Sequence, residues 1–193
     1  MELLLTPHTG LGEPSPWLRR WMHLIRPHGR VLDVACGSGR HLRWLAGQGF
    51  ALTGVDRDAA ALAALAPFGR TIVADIESGA WPLAGERFDA VVVTNYLWRP
   101  LWPVLIEALA VDGGVLLYET FERGHEAFGK PSNPDFLLRP GELIEACGGL
   151  EIVAYESGLL DAPPRRVQRV AARRAGAGPA PLESAALASS TRP

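Results

Sequence analysis

The sequence contains few of the residues that mark secreted, metal-binding or membrane proteins. Cysteine occurs only twice, at Cys36 and Cys147, without a CxxC or metal-ligand spacing. We therefore expect neither a disulfide framework nor a metal site, and both thiols fit a reducing compartment. No apolar run approaches the roughly 18 residues that a membrane-spanning helix needs. The N-terminal MELLLTPHTG also lacks the basic region of a signal peptide. These absences predict a soluble, cytoplasmic protein without a membrane partner.

The sequence also lacks a large excess of positive or negative charge. The formal net charge is −2 at pH 7, which gives no overall attraction to nucleic acid or to a membrane surface. One basic cluster stands near the C-terminus and consists of Arg165, Arg166, Arg169, Arg173 and Arg174. No aromatic residues alternate with these arginines. We therefore interpret them as solvated residues that protect an exposed strand, and we predict no nucleic-acid partner.

What the sequence does contain is a repeated alternation of apolar runs and helical patterns. Strands are predicted at residues 31–35, 51–55, 71–74, 90–94 and 115–120, and helices at residues 16–25, 40–46, 59–66, 101–110 and 140–147. The strands are continuous apolar runs, as in a parallel sheet that is covered on both faces. Repeated strand–helix units with right-handed crossovers predict an α/β fold, a doubly wound three-layer sandwich. Trp17 and Trp21, at helical spacing, are predicted to be core residues rather than a lid.

The C-terminal part of the chain departs from this alternation. Two strand-like runs, at residues 150–155 and 166–172, are joined by SGLLDAPP and predict a hairpin that adds an antiparallel strand to the sheet. Residues 175–193, AGAGPAPLESAALASSTRP, have little apolar surface to bury. We therefore predict one domain over residues 1–174, followed by a disordered tail.

The stretch VLDVACGSGRH places a glycine-rich turn directly after the first predicted strand. In a doubly wound sheet, ligands bind at the carboxyl ends of the strands, beside the first strand. Small residues at 36–39 let the backbone approach a ligand, and the helix that begins near Arg40 directs its N–H groups toward it. Asp56 ends the second strand, where its carboxylate is placed to accept hydrogen bonds from ribose hydroxyls. These residues predict a nucleoside-containing ligand.

A nicotinamide-dependent oxidoreductase is one class that uses such a turn. Its motif is G-x-G-x-x-G, but Leu42 stands where the third glycine belongs. The leucine side chain would hold the helix away from the strand and crowd a pyrophosphate. Little chain remains for a separate substrate domain. This class is therefore disfavoured, but it stays an alternative.

The motifs taken together resemble the class I S-adenosylmethionine-dependent methyltransferases over about residues 17–172. The first motif of that family, acidic-x-Gly-x-Gly-x-Gly, is matched from Asp33 to Gly39, with Ala35 in place of the first glycine. GFALTGVDRD then provides the family's ribose-binding acid, VADIE the pair that contacts adenine, and FDAVVVTNYL two residues beside the sulfonium. The cofactor-binding residues that the resemblance implies are Asp33, Ala35, Cys36, Gly37, Gly39, Asp56, Arg57, Asp75, Ile76, Thr94 and Asn95.

This resemblance implies an enzyme that uses S-adenosyl-L-methionine and has a seven-stranded sheet whose last strand is antiparallel. The stretches NYLWRPLWPVL, LLYETF and SNPDFLLRPGEL are similar to small bacterial methyltransferases of the tellurite-resistance and ubiquinone-biosynthesis types. Because the chain has no added recognition domain, we expect in-line methyl transfer to a small-molecule acceptor. A non-catalytic module of the same fold, which binds the cofactor or a partner protein, remains an alternative.

Candidate acceptor-side residues lie near the ends of the fourth and fifth strands and in the loop that follows. They are Tyr96, Trp98, Arg99, Glu119, His125, Asn133 and Arg139, of which Glu119, His125 and Tyr96 are the candidate catalytic residues. Glu119 interrupts an apolar strand, so it is either functional or paired with a buried partner such as Arg139. His125 is either functional or solvated, and Tyr96 either lines a pocket or packs against the next helix.

The loop at residues 95–98, Asn-Tyr-Leu-Trp, lacks one feature of a related group. Methyltransferases that act on the amino groups of adenine or glutamine often have an Asn/Asp-Pro-Pro-aromatic loop after the fourth strand. The absence of both prolines disfavours those acceptors, although other nitrogen acceptors stay possible.

Overall fold

A computed structural model describes residues 12–176 and 178–183 of the chain. Its centre is a seven-stranded sheet in the order β3-β2-β1-β4-β5-β7-β6. The strands are β1 (Arg30–Val34), β2 (Ala51–Asp56), β3 (Arg70–Val73), β4 (Ala90–Thr94), β5 (Val115–Phe121), β6 (Glu151–Asp161) and β7 (Pro164–Arg173). Strands β1 to β5 pair in parallel, and β7 runs antiparallel to both β5 and β6. The predicted sheet, mostly parallel with an antiparallel last strand, is confirmed.

Helices cover both faces of this sheet. They are α1 (Pro16–Trp21), α2 (Arg40–Ala46), α3 (Ala59–Ala63), α4 (Trp102–Glu107) and α5 (Glu142–Ala146). Trp17, Leu42 and Leu62 bring α1, α2 and α3 into one buried apolar cluster. Leu105 and Leu143 bring α4 and α5 into a second cluster on the opposite face. The three-layer sandwich predicted from the continuous apolar strands is therefore present, and the core interpretation of Trp17 and Trp21 is confirmed.

Most helices are shorter than their apolar patterns predict. The first ends at Trp21 and continues as a 3-10 turn at Met22–Leu24, and a 3-10 turn at Arg99–Leu101 precedes α4. Ser15 and Asp58 begin α1 and α3 as side-chain caps, accepting hydrogen bonds from the N–H groups of residues 17 and 61. The apolar periodicity extends past the true ends because buried residues of the adjoining turns lie on the same face.

The C-terminal hairpin is longer than predicted, which is a correction. Most of SGLLDAPP, expected to be a link, belongs to β6, where Ser157 pairs with Gln168 and Asp161 with Pro164. The side chains of this extension are exposed or half-buried on both faces. The strand therefore lacks the continuous apolar run from which the central strands were predicted.

The two ends of the chain are described only in part. Residues 1–11, 177 and 184–193 lie outside the described residues, so the predicted disorder of the tail stays a prediction. Residues 178–183 form neither helix nor strand, and the carbonyl of Pro181 lies 3.1 Å from Nε2 of His23. Among the helices of the described residues, none has both the length and the apolar character needed to span a membrane.

Candidate cofactor and acceptor site

The glycine-rich turn after β1 is built from residues in left-handed conformations. Ala35, Gly37 and Gly39 have φ angles of 52°, 52° and 74°, a region that favours glycine. A Cβ on Gly39 would lie 2.4 Å from the side chain of Leu65, so the absence of a side chain there serves packing. A Cβ on Gly37 would meet nothing within 4 Å. The open side of the turn, where a ligand can approach the backbone, is therefore at Gly37.

Asp56 at the end of β2 holds this turn in place. Its Oδ2 accepts a hydrogen bond of 2.8 Å from the N–H of Gly37, and its Oδ1 accepts one of 2.9 Å from the N–H of Asp58. A carboxylate oxygen has a second lone pair. Both oxygens can therefore also accept from ribose hydroxyls, as the sequence predicts.

A cleft beside the turn brings together the residues expected to bind adenosine. It is lined by Ala35, Asp56, Arg57, Ala74, Asp75, Ile76, Glu77 and Tyr96. The carboxylate of Asp75 accepts hydrogen bonds from Ser78 Oγ at 2.7 Å and from the N–H of Glu77 at 3.0 Å. The Ser78 hydrogen bond, followed by that from Glu77, lowers the pKa of Asp75, which keeps it ionised as an acceptor. The donors, acceptors and open backbone of this cleft fit an adenosine group.

Two predicted cofactor residues lie behind the turn instead. Asp33 is buried and its Oδ2 lies 3.5 Å from Nδ1 of His41, on the side of the sheet covered by α1 and α2. Cys36 is buried as well, with its sulfur against the backbone of Gly54. Burial, then the charges of Asp33 and Asp56, raises the pKa of the Cys36 thiol, so it stays protonated. Both side chains lie behind the turn, and Ala35 is the residue of the turn that lines the cleft.

Thr94 and Asn95 mark the end of β4. Thr94 Oγ1 accepts a hydrogen bond of 3.3 Å from Arg40 Nη2. Asn95 has a φ angle of 56°, and its N–H donates to the carbonyl of Glu119 at 2.9 Å. Asn95 lines a second cavity rather than the adenosine cleft, and its predicted place beside the sulfonium stays a prediction.

This second cavity, of about 200 Å3, lies next to the adenosine cleft. Its lining residues are Glu77, Asn95, Tyr96, Leu97, Thr120, Phe121, Pro131 and Phe136. Glu77 and Tyr96 line both spaces. The hydroxyl of Tyr118 donates to the carbonyl of Tyr96 at 2.9 Å and fixes the loop between them. Tyr96 thus lines a pocket, which was one of the two roles predicted for it.

The hydroxyl of Tyr96 is buried and has no hydrogen-bond partner among the described residues. Burial, followed by the negative charge of Glu77, raises the pKa of Tyr96. The phenol therefore stays protonated at neutral pH and is available to donate a hydrogen bond.

Glu119 has an ion-pair role instead of lining either space. Its side chain is 1% exposed, and its Oε2 lies 3.4 Å from Arg169 Nη1. Its Oε1 accepts from Ser15 Oγ at 3.3 Å and lies 3.9 Å from Arg165. A buried partner was one of its two predicted roles, but Arg139 is the wrong partner.

His125 is buried rather than solvated, which corrects the second interpretation of this residue. Its ring stacks on Phe121 with centroids 4.3 Å apart. The N–H of Arg166 donates to its Nδ1 at 3.3 Å, so Nε2 bears the proton and donates to the carbonyl of Lys130 at 3.1 Å. Because backbone groups occupy both nitrogens, His125 holds the loop after β5 in place.

The other acceptor-side candidates hold the loop that contains Phe136. Arg99 donates to Glu142 Oε1 at 2.6 Å and to the carbonyls of residues 135 and 137 at 2.7 and 3.0 Å. Asn133 accepts from the N–H of Asp135, and Arg139 pairs with Glu142 and Glu145. Trp98 packs against the core. These four side chains therefore support the cavity from behind.

Several site residues were missed by the sequence prediction. They are Glu77, Thr120, Phe121 and Phe136. Glu77 directly follows the predicted adenine pair, and Thr120 and Phe121 end the fifth strand. These three residues could therefore have been predicted from their positions in the sequence. Phe136 had no such signal, because the fold of its loop depends on the ion pair between Glu142 and Arg99, which are 43 residues apart.

The basic cluster is not simply solvated. Arg165 and Arg169 pair with Glu119, Arg166 with Glu122, and Arg173 with Glu151. Across residues 12–176 and 178–183, no group of three or more His, Cys, Asp or Glu side chains is placed to hold a metal ion.

Comparison with known proteins gives matches to methyltransferases. Residues 31–111 match the family model described as a methyltransferase domain. TehB from Haemophilus influenzae is 22% identical with a TM-score of 0.65, over 78% of this chain and 59% of TehB, so this chain spans less than two thirds of that protein. A TehB-like SAM-dependent methyltransferase from Corynebacterium glutamicum is 19% identical with a TM-score of 0.60, over 81% of this chain and 85% of that one.

The N-methyltransferase NodS from Bradyrhizobium japonicum is 18% identical with a TM-score of 0.62, over 83% of this chain and 98% of that one. No curated protein sequence gives a significant match. The family match assigns a methyltransferase domain to residues 31–111, and the structural matches show that the sheet has the fold of S-adenosylmethionine-dependent methyltransferases. These matches favour the methyltransferase prediction over the nicotinamide alternative.

Proposed function

We propose that the enzyme methylates a small-molecule acceptor that binds in the cavity between the loops after β4 and β5. The observation that supports this most directly is that the cavity adjoins the adenosine cleft and shares Glu77 and Tyr96 with it. Its volume of about 200 Å3 suits a small molecule rather than a macromolecule. The similarity to NodS, an N-methyltransferase, supports a nitrogen atom as the acceptor.

The charges around the cavity restrict the acceptor further. Among the described residues that line it, Glu77 is the one carboxylic acid and none is basic. Arg99 and Arg139, the predicted acceptor-side cations, are paired with Glu142. An anionic acceptor would therefore lack a counter-charge, whereas a neutral or cationic one can contact Glu77 and the rings of Phe121 and Phe136. We propose a small amine or neutral acceptor.

The chain contributes position and shielding to the reaction. When bound, S-adenosylmethionine supplies an electrophilic methyl group on a sulfonium sulfur. Asp56 and Asp75 hold the adenosine part, while Ala35, Arg57 and Ile76 complete that cleft. Tyr96 donates a hydrogen bond toward the acceptor, and Phe121 and Phe136 exclude water beside it. Glu119 and His125 line neither space, so we assign both to positioning.

We also propose a cytoplasmic location and no nucleic-acid partner. Cys36 and Cys147 are both buried and unpaired, which supports a cytoplasmic location. Four of the five clustered arginines are bound to glutamates, which supports the absence of a nucleic-acid partner.

Calorimetric titration with S-adenosylhomocysteine tests the cofactor site, with NADH as the parallel ligand. We expect micromolar binding of the former and none of the latter. Asp56→Asn removes the ribose-binding charge and should weaken binding about tenfold or more. The matched control Asp58→Asn keeps its role as a helix cap and should bind normally.

Methyl transfer to aromatic amines and to carboxylates of the same skeleton then tests the acceptor class. Preference for the amines is the expected result. Turnover of the carboxylates alone, or binding of NADH instead of S-adenosylhomocysteine, would contradict the proposal.

A further inference from the structure

Glu77 is the acidic residue that the adenosine cleft and the acceptor cavity share. It directly follows Ile76, and it lines both spaces together with Tyr96. A methyl group on a cofactor whose adenosine lies in the first space must pass to an acceptor in the second. Glu77 therefore stands where the cofactor and the acceptor meet. It is also exposed, so it can exchange protons with solvent.

An amine acceptor must lose a proton before its nitrogen can attack a methyl group. At neutral pH an alkylamine is an ammonium ion, and its nitrogen has no free electron pair. A positioned carboxylate that takes this proton contributes about 100- to 10,000-fold to the rate of such a reaction. Methyl transfer to an amine in the cavity therefore benefits from a proton acceptor beside the nitrogen.

Two other titratable groups near the cavity are unsuited to this task. Burial, followed by the negative charge of Glu77, raises the pKa of Tyr96, so the phenol keeps its proton. The same effect shows that the carboxylate of Glu77 lies near the Tyr96 hydroxyl. Both ring nitrogens of His125 are occupied by backbone groups. Neither side chain can therefore take a proton from the acceptor.

The acids of the adenosine cleft are occupied as well. Asp56 accepts hydrogen bonds from two backbone N–H groups, and Asp75 accepts from one N–H and one hydroxyl. The positive charge of Arg57, which lines the same cleft, also acts on Asp75. Neither acid lines the acceptor cavity. Among the described residues, Glu77 is thus the carboxylate placed to receive a proton from the acceptor.

We propose that Glu77 is a catalytic residue that takes the proton from the nitrogen of an amine acceptor. This role rests on the proposed function and adds to it the group that prepares the acceptor. An N–H bond breaks, its electron pair stays on nitrogen, and the proton goes to a carboxylate oxygen of Glu77. The nitrogen pair then forms a bond to the methyl carbon while the carbon–sulfur bond breaks, and that pair leaves with the sulfur of S-adenosylhomocysteine. The proton passes from Glu77 to solvent.

The pH dependence of methyl transfer tests this role. The assay uses the full chain, labelled S-adenosylmethionine and the aromatic alkylamine that is turned over fastest, beginning with benzylamine. In the unaltered protein, kcat/KM for the amine should stay constant between about pH 6 and pH 8, because the ammonium form binds and Glu77 deprotonates it. In Glu77→Gln only the neutral amine reacts. Its kcat/KM should therefore be about 100-fold lower at pH 7 and rise about tenfold per pH unit.

Three further measurements separate this role from a structural one. Glu77→Gln should bind S-adenosylhomocysteine as tightly as the unaltered protein in calorimetric titrations, which also shows that it is folded. Glu77→Asp, which keeps a carboxylate, should restore the constant pH profile at a lower rate. Glu126→Gln removes an equal charge from the loop after β5, where Glu126 is exposed and accepts from the N–H of Gly124 at 2.7 Å. It should change neither the rate nor the profile.

The possible failures are distinguishable. An unchanged rate and a constant profile in Glu77→Gln would overturn the role of Glu77 and leave the proposed function standing. Loss of S-adenosylhomocysteine binding in that variant would also overturn it, because Glu77 would then act on the cofactor. If the unaltered protein binds S-adenosylhomocysteine but methylates no amine, the proposed acceptor class fails and the role of Glu77 fails with it.

Discussion

At the residue scale, Glu119 shows how a buried charge in a strand can be structural. It joins three parts of the chain: the cap of α1 through Ser15, strand β5 itself, and strand β7 through Arg165 and Arg169. Removing one partner of a buried ion pair leaves the other charges without compensation. These ion pairs therefore explain the carboxylate in this apolar strand without a catalytic role.

Replacing Glu119 should accordingly change stability rather than cofactor affinity. We expect Glu119→Ala to lower the free energy of unfolding by about 3 kcal/mol, measured by urea denaturation, because two arginines lose their buried partner. S-adenosylhomocysteine affinity should stay the same. Glu156→Gln is the control, since Glu156 also pairs with Arg169 but its side chain is 40% exposed, and its loss should be below about 1 kcal/mol.

A variant at Glu119 that stays stable and binds the cofactor but no longer methylates would contradict this assignment. It would return Glu119 to the catalytic role that its position in the sequence first suggested.

Sequence reasoning at this scale succeeded where a side chain follows its own strand. Asp56, Asp75 and Ile76 line the cleft because each stands at the carboxyl end of a parallel strand or just after it. The partner of Glu119 was wrong because Arg169 reaches it only through the pairing of β5 with β7. No local pattern encodes that contact between distant segments.

At the scale of elements, the loop that contains Phe136 is held by one ion pair. Arg99, in the 3-10 turn before α4, binds Glu142 at the start of α5, and Glu142 also accepts from the N–H of Arg139 at 2.7 Å. Phe136 lies between these anchors. The shape of the cavity therefore depends on contacts between elements rather than on a local turn.

Comparison of the unaltered protein with Glu142→Gln should show how much this ion pair stabilises the fold and how that stabilisation depends on pH. Burial alone would raise the pKa of Glu142, but the hydrogen bonds from Arg99 and the Arg139 N–H lower it below 4.5. The unfolded state thus binds the proton more readily than the folded state. The stabilisation is present above pH 4.5 and is lost as the pH falls through the lower pKa of the folded state.

Urea unfolding of both proteins between pH 7 and pH 3 measures the effect. The unaltered protein should exceed Glu142→Gln by about 2 kcal/mol at pH 7, and this difference should shrink toward acid pH. Glu145→Gln, whose side chain is 67% exposed, should differ by less than about 0.5 kcal/mol throughout. A difference that stays constant down to pH 3 would show that charge is not the cause.

At the scale of the whole molecule, the topology separates two tasks along one edge of the sheet. The adenosine cleft lies at the ends of β1, β2 and β3, and the acceptor cavity lies at the ends of β4 and β5. This arrangement follows from the alternation of strands and helices, which is why the position of the strand-end residues of the cleft could be predicted from sequence. The acceptor cavity could not, because long loops held by Arg99 and His125 form its wall.

Cofactor binding should also stabilise the whole fold, because the cleft exists only when the strand ends are in register. S-adenosylhomocysteine at about 100 times its dissociation constant should add about 2.7 kcal/mol to the free energy of unfolding. For a chain of 193 residues this corresponds to a rise in Tm of about 5–10 °C. NADH at the same concentration should give no rise.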